Sequence, residues 1–282
     1  MDLNALVSHA PAFPSLPKAV ALLMAELARP EPSLRRLSHW FGTDPALAAR
    51  LLCLANSAEF AGPGLVASIP EALALVNMAQ SRDLVTTAVL GTTSGSVPGM
   101  DMQQFWRQSV QTAKLARSLA AHVRQSQGAA YTAGLLHALG ELLIQRADPT
   151  RARLLNTLVP PLGLKRASLE TQVLGFSYSR VTGALARQWL FPEAVVDAFE
   201  HQDSPFEEGK YEPLPGIVHL AVWRVRTRAA GFTEAELAAC FPDKVGLALG
   251  LDIDMVLRQD PFDWSQQRGD DPLDHSGMIA IV

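Results

Sequence analysis

Apolar residues recur at threes and fours along almost the whole chain. Between Lys18 and Arg29, the residues Val20, Leu23, Met24 and Leu27 make one stripe, the mark of a helix with a buried face. Ser33 is placed to cap a helix over Leu34–Phe41. Asp44 before Pro45 is a stronger start signal, an oxygen acceptor ahead of proline in the first helical turn. The helix it opens carries Leu47, Leu51, Leu52 and Leu54 and is expected to stop near Asn56–Ser57, whose polar side chains can bond nearby backbone. Helices are predicted next at about Glu71–Met78 and Ser81–Leu90.

A long helix is predicted over roughly Met102–Arg124, with Trp106, Val110, Ala113 and Ala120 on one side. Others follow at about Ala129–Arg146, Pro149–Leu158, Leu169–Leu174, Ser179–Leu190, Pro192–Glu200 and Pro215–Ala230. The "TEAE" at Thr233–Glu236 has capping-box spacing. Short helices are expected at about Asp243–Gly250 and Asp252–Arg258. No alternating run of useful length and no internal repeat interrupts the pattern, so the fold class predicted is all-α. The stretch "GTTSGSVPGM" (Gly91–Met100) lacks a P-loop lysine and follows no strand, so it is taken as a linker. It divides an N-terminal helical lobe (1–92) from a second helical lobe (93–230), with a C-terminal helical extension and acidic tail over 231–282.

Composition adds class limits. The 282 residues are 48% hydrophobic and 18% charged, which suits a packed globular core rather than disorder. The net charge of −4 gives no general attraction to nucleic acid or acidic lipid. Seven Asp and two Arg between Asp252 and Asp274 give a local charge of −5, so the rest of the chain is nearly neutral. A basic cluster stands out at Arg146, Arg151, Arg153, Lys165 and Arg166, read as a solvated face or as an anion- or partner-binding surface. Cys53 and Cys240 form no CxxC pair and are expected as buried free thiols. The first residues lack a signal-peptide pattern and no run has membrane-span length, so a cytoplasmic location is expected.

The segments "LPKAVALLMAEL", "DPALAARLLCLANSAEF", "FWRQSVQTAKLARSLA", "YTAGLLHALGELL" and "RQWLFPEAVVDAF" resemble, in order and spacing, those of the HDOD domain. That domain is a bacterial signalling module related to the HD phosphohydrolases. The resemblance covers about Ala12 to Trp223, and its most specific pieces are the "DPALAARLLCLANS" and "AGLLHALG" blocks. It departs from the family at Val76-Asn77, where the family tends to have Leu-Gly, and after about Pro205. It implies an N-terminal helical bundle beside an HD-like lobe, and a regulatory role linked to two-component or cyclic-dinucleotide signalling.

An HD hydrolase needs imidazole and carboxylate ligands that hold divalent metal, polarise a phosphoryl group and activate water. Against that pattern, His137 matches the motif histidine, but Ala138 replaces the aspartate that follows. Gln108 and Tyr178 stand where histidines are expected, Val222 where a final aspartate is expected, and His201 is followed by Gln202. Glu141, one turn after His137, is the substitute carboxylate the sequence offers. His137, Glu141 and His201 therefore mark a degenerate HD-like site. His137 is read as a core histidine bonded to a carbonyl or to Glu141, with a distorted metal site or a ligand contact as alternatives. His219, beside Trp223 on an apolar helix, is read as core, and Arg224, Arg226 and Arg228 as solvated or ion-paired.

The function expected is a non-catalytic regulatory module that acts by protein–protein contact. It carries no cofactor and no metal, and its partner is a signalling protein. Neither membrane nor nucleic acid is expected, and a homo-oligomer is compatible with this reading. Two alternatives stay open: a residual phosphohydrolase using His137, Glu141 and His201, and a binder of a small nucleotide or RNA through the basic cluster.

Overall fold

A computed structural model describes residues 2–8, 12–60, 66–91, 96–206 and 211–258. These residues form helices throughout and contain no strand, so the fold is all-α. The first six are α1 (Leu3–Ser8), α2 (Pro17–Leu27), α3 (Leu34–Phe41), α4 (Pro45–Ala55), α5 (Ile69–Leu75) and α6 (Met78–Gly91). Next come α7 (Met102–His122), α8 (Gln127–Leu136), α9 (Leu139–Ala147), α10 (Pro149–Leu158), α11 (Arg166–Leu174), α12 (Tyr178–Gln188) and α13 (Glu193–Glu200). The chain continues through α14 (Pro213–Ala229), α15 (Glu234–Cys240), α16 (Asp243–Leu249) and α17 (Ile253–Arg258). No described helix is long and apolar enough to cross a membrane. Much of the Gly91–Met100 linker and most of the acidic tail lie outside the described residues.

Local chemistry sets most boundaries. Ser33 accepts from Arg36 N to start α3, and Asp44 accepts from Leu47 N at 2.9 Å to start α4. Asn56 ends α4 and pins the returning chain, since its amide bonds both the N–H and the carbonyl of Val66 at 2.9 Å. At Asn77, the departure from the family pattern, the side chain accepts from Gln80 N while Gln80 Oε1 accepts from Asn77 N, a reciprocal cap for α6. Thr233 and Glu236 form the expected capping box of α15. α1 was not anticipated, because its six residues are too few to show a period.

Two apolar cores share α7 and α14. The larger gathers side chains from α1 through α13, including Leu23, Leu47, Phe105 and Phe199, and takes in Val218 and Val222 of α14. The smaller joins Leu115, Leu119 and Ala120 of α7 to Ile217, Leu220 and Ala221 of α14, and is closed by Leu237, Val245, Leu251 and Val256. α14 is thus apolar on two sides. The two glycines of the "AGLLHALG" block allow close helix packing: a Cβ at Gly134 would lie 2.7 Å from Ala113 Cα of α7, and one at Gly140 would lie 2.2 Å from Tyr178 O of α12.

Both cysteines are free thiols, but only Cys53 is partly sheltered, and burial pushes its thiol pKa up. Cys240 is exposed, because it closes a short helix at the surface, where Trp223 Nε1 donates to its Sγ at 3.4 Å.

Candidate functional site

The continuous helix expected over Ala129–Arg146 is broken at the histidine of interest. α8 ends at Leu136, His137 caps it, and Ala138 leaves the helical conformation at φ −113°, ψ 17°. In an unbroken helix the His137 carbonyl would accept from Glu141 N. Here Glu141 N bonds Ala138 O at 3.1 Å instead. The His137 carbonyl accepts from Gln202 Nε2 at 3.0 Å and lies 3.3 Å from Thr182 Oγ1, which itself accepts from Gly140 N at 2.9 Å. Side chains from α12 and from the turn after α13 therefore take over the backbone groups that the break releases.

The imidazole of His137 is buried and turned back on its own helix, with Nδ1 2.7 Å from Gly134 O. Burial first, and the Arg226 guanidinium second, push its pKa down to about 3, so the ring is neutral. His201 also turns to its own helix, with Nδ1 3.1 Å from Asp197 O. His219 places Nδ1 2.6 Å from Gln202 O and is kept neutral mainly by burial. It is half-buried at the edge of a surface cleft, not within the core as expected.

Glu141 does not join His137. The break at Ala138 carries it to another neighbourhood, where Oε1 lies 2.9 Å from Arg166 Nη2 and accepts from Gln145 Nε2 at 2.8 Å. Arg166 was expected in the exposed basic cluster, and this is a correction: its side chain is fully buried, and its Nε also lies 2.7 Å from Glu170 Oε1. Arg166 Nη1 donates to Asn156 Oδ1 and Val159 O, both at 2.9 Å. Burial and the neighbouring Glu141 carboxylate push the Glu170 carboxyl well above the usual carboxylate range. The two carboxyl groups thus share a single guanidinium. The other cluster members, Arg151, Arg153 and Lys165, stay exposed and Arg146 half-buried. Arg151 pairs with Asp148 at 3.7 Å, while Arg146 and Arg153 donate to Ala12 O and Pro149 O.

Arg226 is the second correction. Sequence spacing suggested a solvated or ion-paired side chain, but it is 5% exposed and bonds a carbonyl and a phenol. Its Nη1 donates to Gly163 O at 3.0 Å and its Nη2 to Tyr178 OH at 2.9 Å, and the guanidinium lies 5.0 Å from the centre of the Tyr178 ring. Tyr178 OH donates to Asp203 Oδ1 at 3.3 Å, and Ser177 Oγ to Asp203 Oδ2 at 3.1 Å. Burial pushes the Tyr178 phenol pKa far up, so it remains a neutral hydroxyl. The one signal for Arg226 in the sequence is its place four residues after Val222, on the same face of α14. Thr182 and Asp203 gave none.

A divalent metal does not fit these residues. The positions expected to ligate hold Gln108, Ala138, Tyr178, Gln202 and Val222, of which Ala138 and Val222 have no donor atom. Two histidines remain, His137 and His201, and the Arg226 guanidinium near His137 repels a cation. Among the described residues, no group of three or more His, Cys, Asp and Glu side chains could hold a metal ion.

Comparison with known proteins places this geometry. The family model for the HDOD domain matches residues 13–205. An uncharacterized protein of Treponema pallidum (strain Nichols) is 27% identical over 217 residues, which are 76% of this chain and 42% of that protein, so the chain spans less than half the length of that relative. The MmoQ response regulator fragment from Methylococcus capsulatus str. Bath superposes with a TM-score of 0.69 at 24% identity, covering 88% of this chain and 95% of the other. A protein of Shewanella amazonensis SB2B, provisionally named a phosphohydrolase, superposes with a TM-score of 0.55 at 26% identity, covering 96% of each chain.

Proposed function

The chain belongs to the HDOD domain family, and from that premise we propose that it is a non-catalytic signal-transduction module that acts by contact with a partner protein. One observation carries the reading: where an HD hydrolase needs metal ligands, this chain has side chains engaged in hydrogen bonds with one another and with the backbone. Gln202 donates to the His137 carbonyl, Thr182 donates to Tyr178 O at 2.9 Å, Tyr178 donates to Asp203, and Arg226 brings a positive charge beside the histidine. Catalytic metal sites keep an open position for water or substrate and a donor set that compensates the metal's charge. A packed helical scaffold without that chemistry still offers surfaces for a partner, among them the exposed Arg151, Arg153 and Lys165 with the half-buried Arg146.

Metal content per chain, measured on untagged protein purified without chelator, tests the reading together with phosphodiester hydrolysis in added Mn²⁺ or Zn²⁺. The expected result is substoichiometric metal and no turnover above that of a His137→Ala variant. One or two equivalents of metal, with turnover that His137→Ala abolishes, would overturn it. Affinity capture from the source cell should then recover a specific signalling protein that charge reversal at Arg151 and Arg153 releases.

A further inference from the structure

α10 keeps little of its apolar surface inside. Its buried residues are Ala152 and Leu155, while Leu154 and Leu158 are 64% and 70% exposed. Spaced by four, these two leucines share the outer side of the helix, and Arg151 precedes Leu154 by one turn on the same side. Arg153 flanks that stripe. Beyond the helix the chain folds back, because Arg166 Nη1 donates to Val159 O at 2.9 Å. The exposed Leu164 and Lys165 therefore stand near the end of α10. Single exposed leucines are ordinary, but several together, rimmed by charge of one sign, mark a contact surface.

That surface is short of counter-charge. From Pro149 to Lys165 the chain holds no carboxylate, and Asp148 meets Arg151 only at 3.7 Å. Arg153 donates to a carbonyl of its own helix, and neither it nor Lys165 forms an ion pair among the described residues.

The same chain carries a segment of matching chemistry. Residues 259–282 lie outside the described residues, and their sequence has five Asp against one Arg. Asp270, Asp271 and Asp274 surround Leu273, and Met278, Ile279 and Ile281 follow. Acids and large apolar residues thus alternate in short blocks, the complement of cations set around leucines. Length permits the contact. Counted from Arg258, an extended chain spans about 40 Å to Asp270 and about 75 Å to Ile281. A folded chain of this size has a radius of gyration of about 19 Å, so α10 lies within reach.

We infer that residues 270–282 dock on the outer face of α10, with their aspartates toward Arg151, Arg153 and Lys165 and their apolar residues over Leu154 and Leu158. Exposed ion pairs contribute little by themselves, so the leucines supply most of the attraction and the charges set the place. Tethering raises the effective concentration to the millimolar range, and a weak contact then suffices. On the reading above that a partner meets Arg151 and Arg153, segment and partner compete for one face. The docking itself rests on no partner.

Nitrogen-15 relaxation on the purified full chain tests it. Amide order parameters over residues 270–282 should exceed about 0.6, and should fall below that value in Arg151→Glu/Arg153→Glu and in Leu154→Asp/Leu158→Asp. All four side chains are exposed, so the circular dichroism melts should match wild type. Arg35→Glu/Arg107→Glu makes the same change in net charge at exposed residues of α3 and α7, and should leave the order parameters unchanged. No partner is present, so the result leaves the partner reading where it stands. Wild-type values below about 0.6, or order that persists in either face variant, would overturn the inference. So would equal loss in the Arg35/Arg107 variant. Order that falls on about tenfold dilution would overturn it too, by placing the segment on a second copy.

Discussion

The Arg166 guanidinium meets the Glu141 carboxylate at 2.9 Å, with neither side chain exposed. The pair ties α9 to the start of α11 across 25 residues, and Glu170 completes it from one turn further along α11. Removing one partner of a buried ion pair strands the other charge, which costs about 3–5 kcal/mol. Arg166→Met is expected to lose about that much in urea unfolding. Adding Glu141→Gln and Glu170→Gln to it should restore part of the loss, because no buried charge is then left without a counter-ion. Equal stability of Arg166→Met and wild type would show that the network contributes nothing to the fold.

The buried His137 gives the protein an acid-sensitive group. Its pKa is about 3 when folded, against an ordinary histidine value near 6.5, so the unfolded chain binds the proton more tightly. The stability that follows is complete above about pH 6.5 and is lost as pH falls toward 3. The slope through that window approaches one proton, about 1.4 kcal/mol per pH unit. Asp44, raised by burial to about 6, acts in the opposite direction, since its folded state binds the proton more tightly. Comparing His137→Gln with wild type isolates the histidine. The variant should show a shallower fall in stability between pH 6.5 and 4, measured by urea midpoint, and parallel profiles would contradict the assignment.

Asp44 joins two segments. Its carboxylate caps α4 through Leu47 N and also accepts from Leu16 N, just before α2. Asp44→Ala removes the cap and strands a buried N–H, so a loss of about 2–3 kcal/mol is expected. Asp44→Asn keeps an acceptor oxygen and should lose less. If the two variants are equally destabilised, the hydrogen bonds are not what holds this junction.

Features governed by neighbouring residues were readable from the chain. The caps at Ser33, Asp44 and Thr233 stand within three residues of the N–H groups they meet, and the helical period around Leu23 or Leu51 is local as well. The break at His137 was not readable, because the groups that surround its carbonyl come from Thr182 and Gln202, 45 and 65 residues away. The spacing of His137 and Glu141 implied a shared helical face that holds only if the helix continues. Arg166 looked like one more surface cation because its carboxylate partner Glu141 lies 25 residues upstream. The sequence does show residues without a donor atom, Ala138 and Val222, where the HD resemblance leads one to expect ligands. It could not show that Arg226 fills in beside them.

Gly140 tests whether the degenerate site is held by packing. Its Cα faces α12 so closely that an added Cβ would fall 2.2 Å from Tyr178 O and 2.8 Å from Val181 Cβ. Neither backbone nor a β-branched core side chain can yield cheaply, so Gly140→Ala must push α9 away from α12. That shift would also pull on Thr182 Oγ1, which accepts from Gly140 N and sits beside the His137 carbonyl. A loss of about 1–3 kcal/mol or more is expected for Gly140→Ala, with lower hydrogen-exchange protection of the Gly140 amide. Gly175→Ala is the control: no atom lies within 4 Å of its added Cβ, so only its positive φ of 85° is strained. Its smaller loss, about 1 kcal/mol, should leave the Gly140 amide protected. Comparable losses of protection at Gly140 in both variants would mean that the helix contact does not hold the His137 network in place.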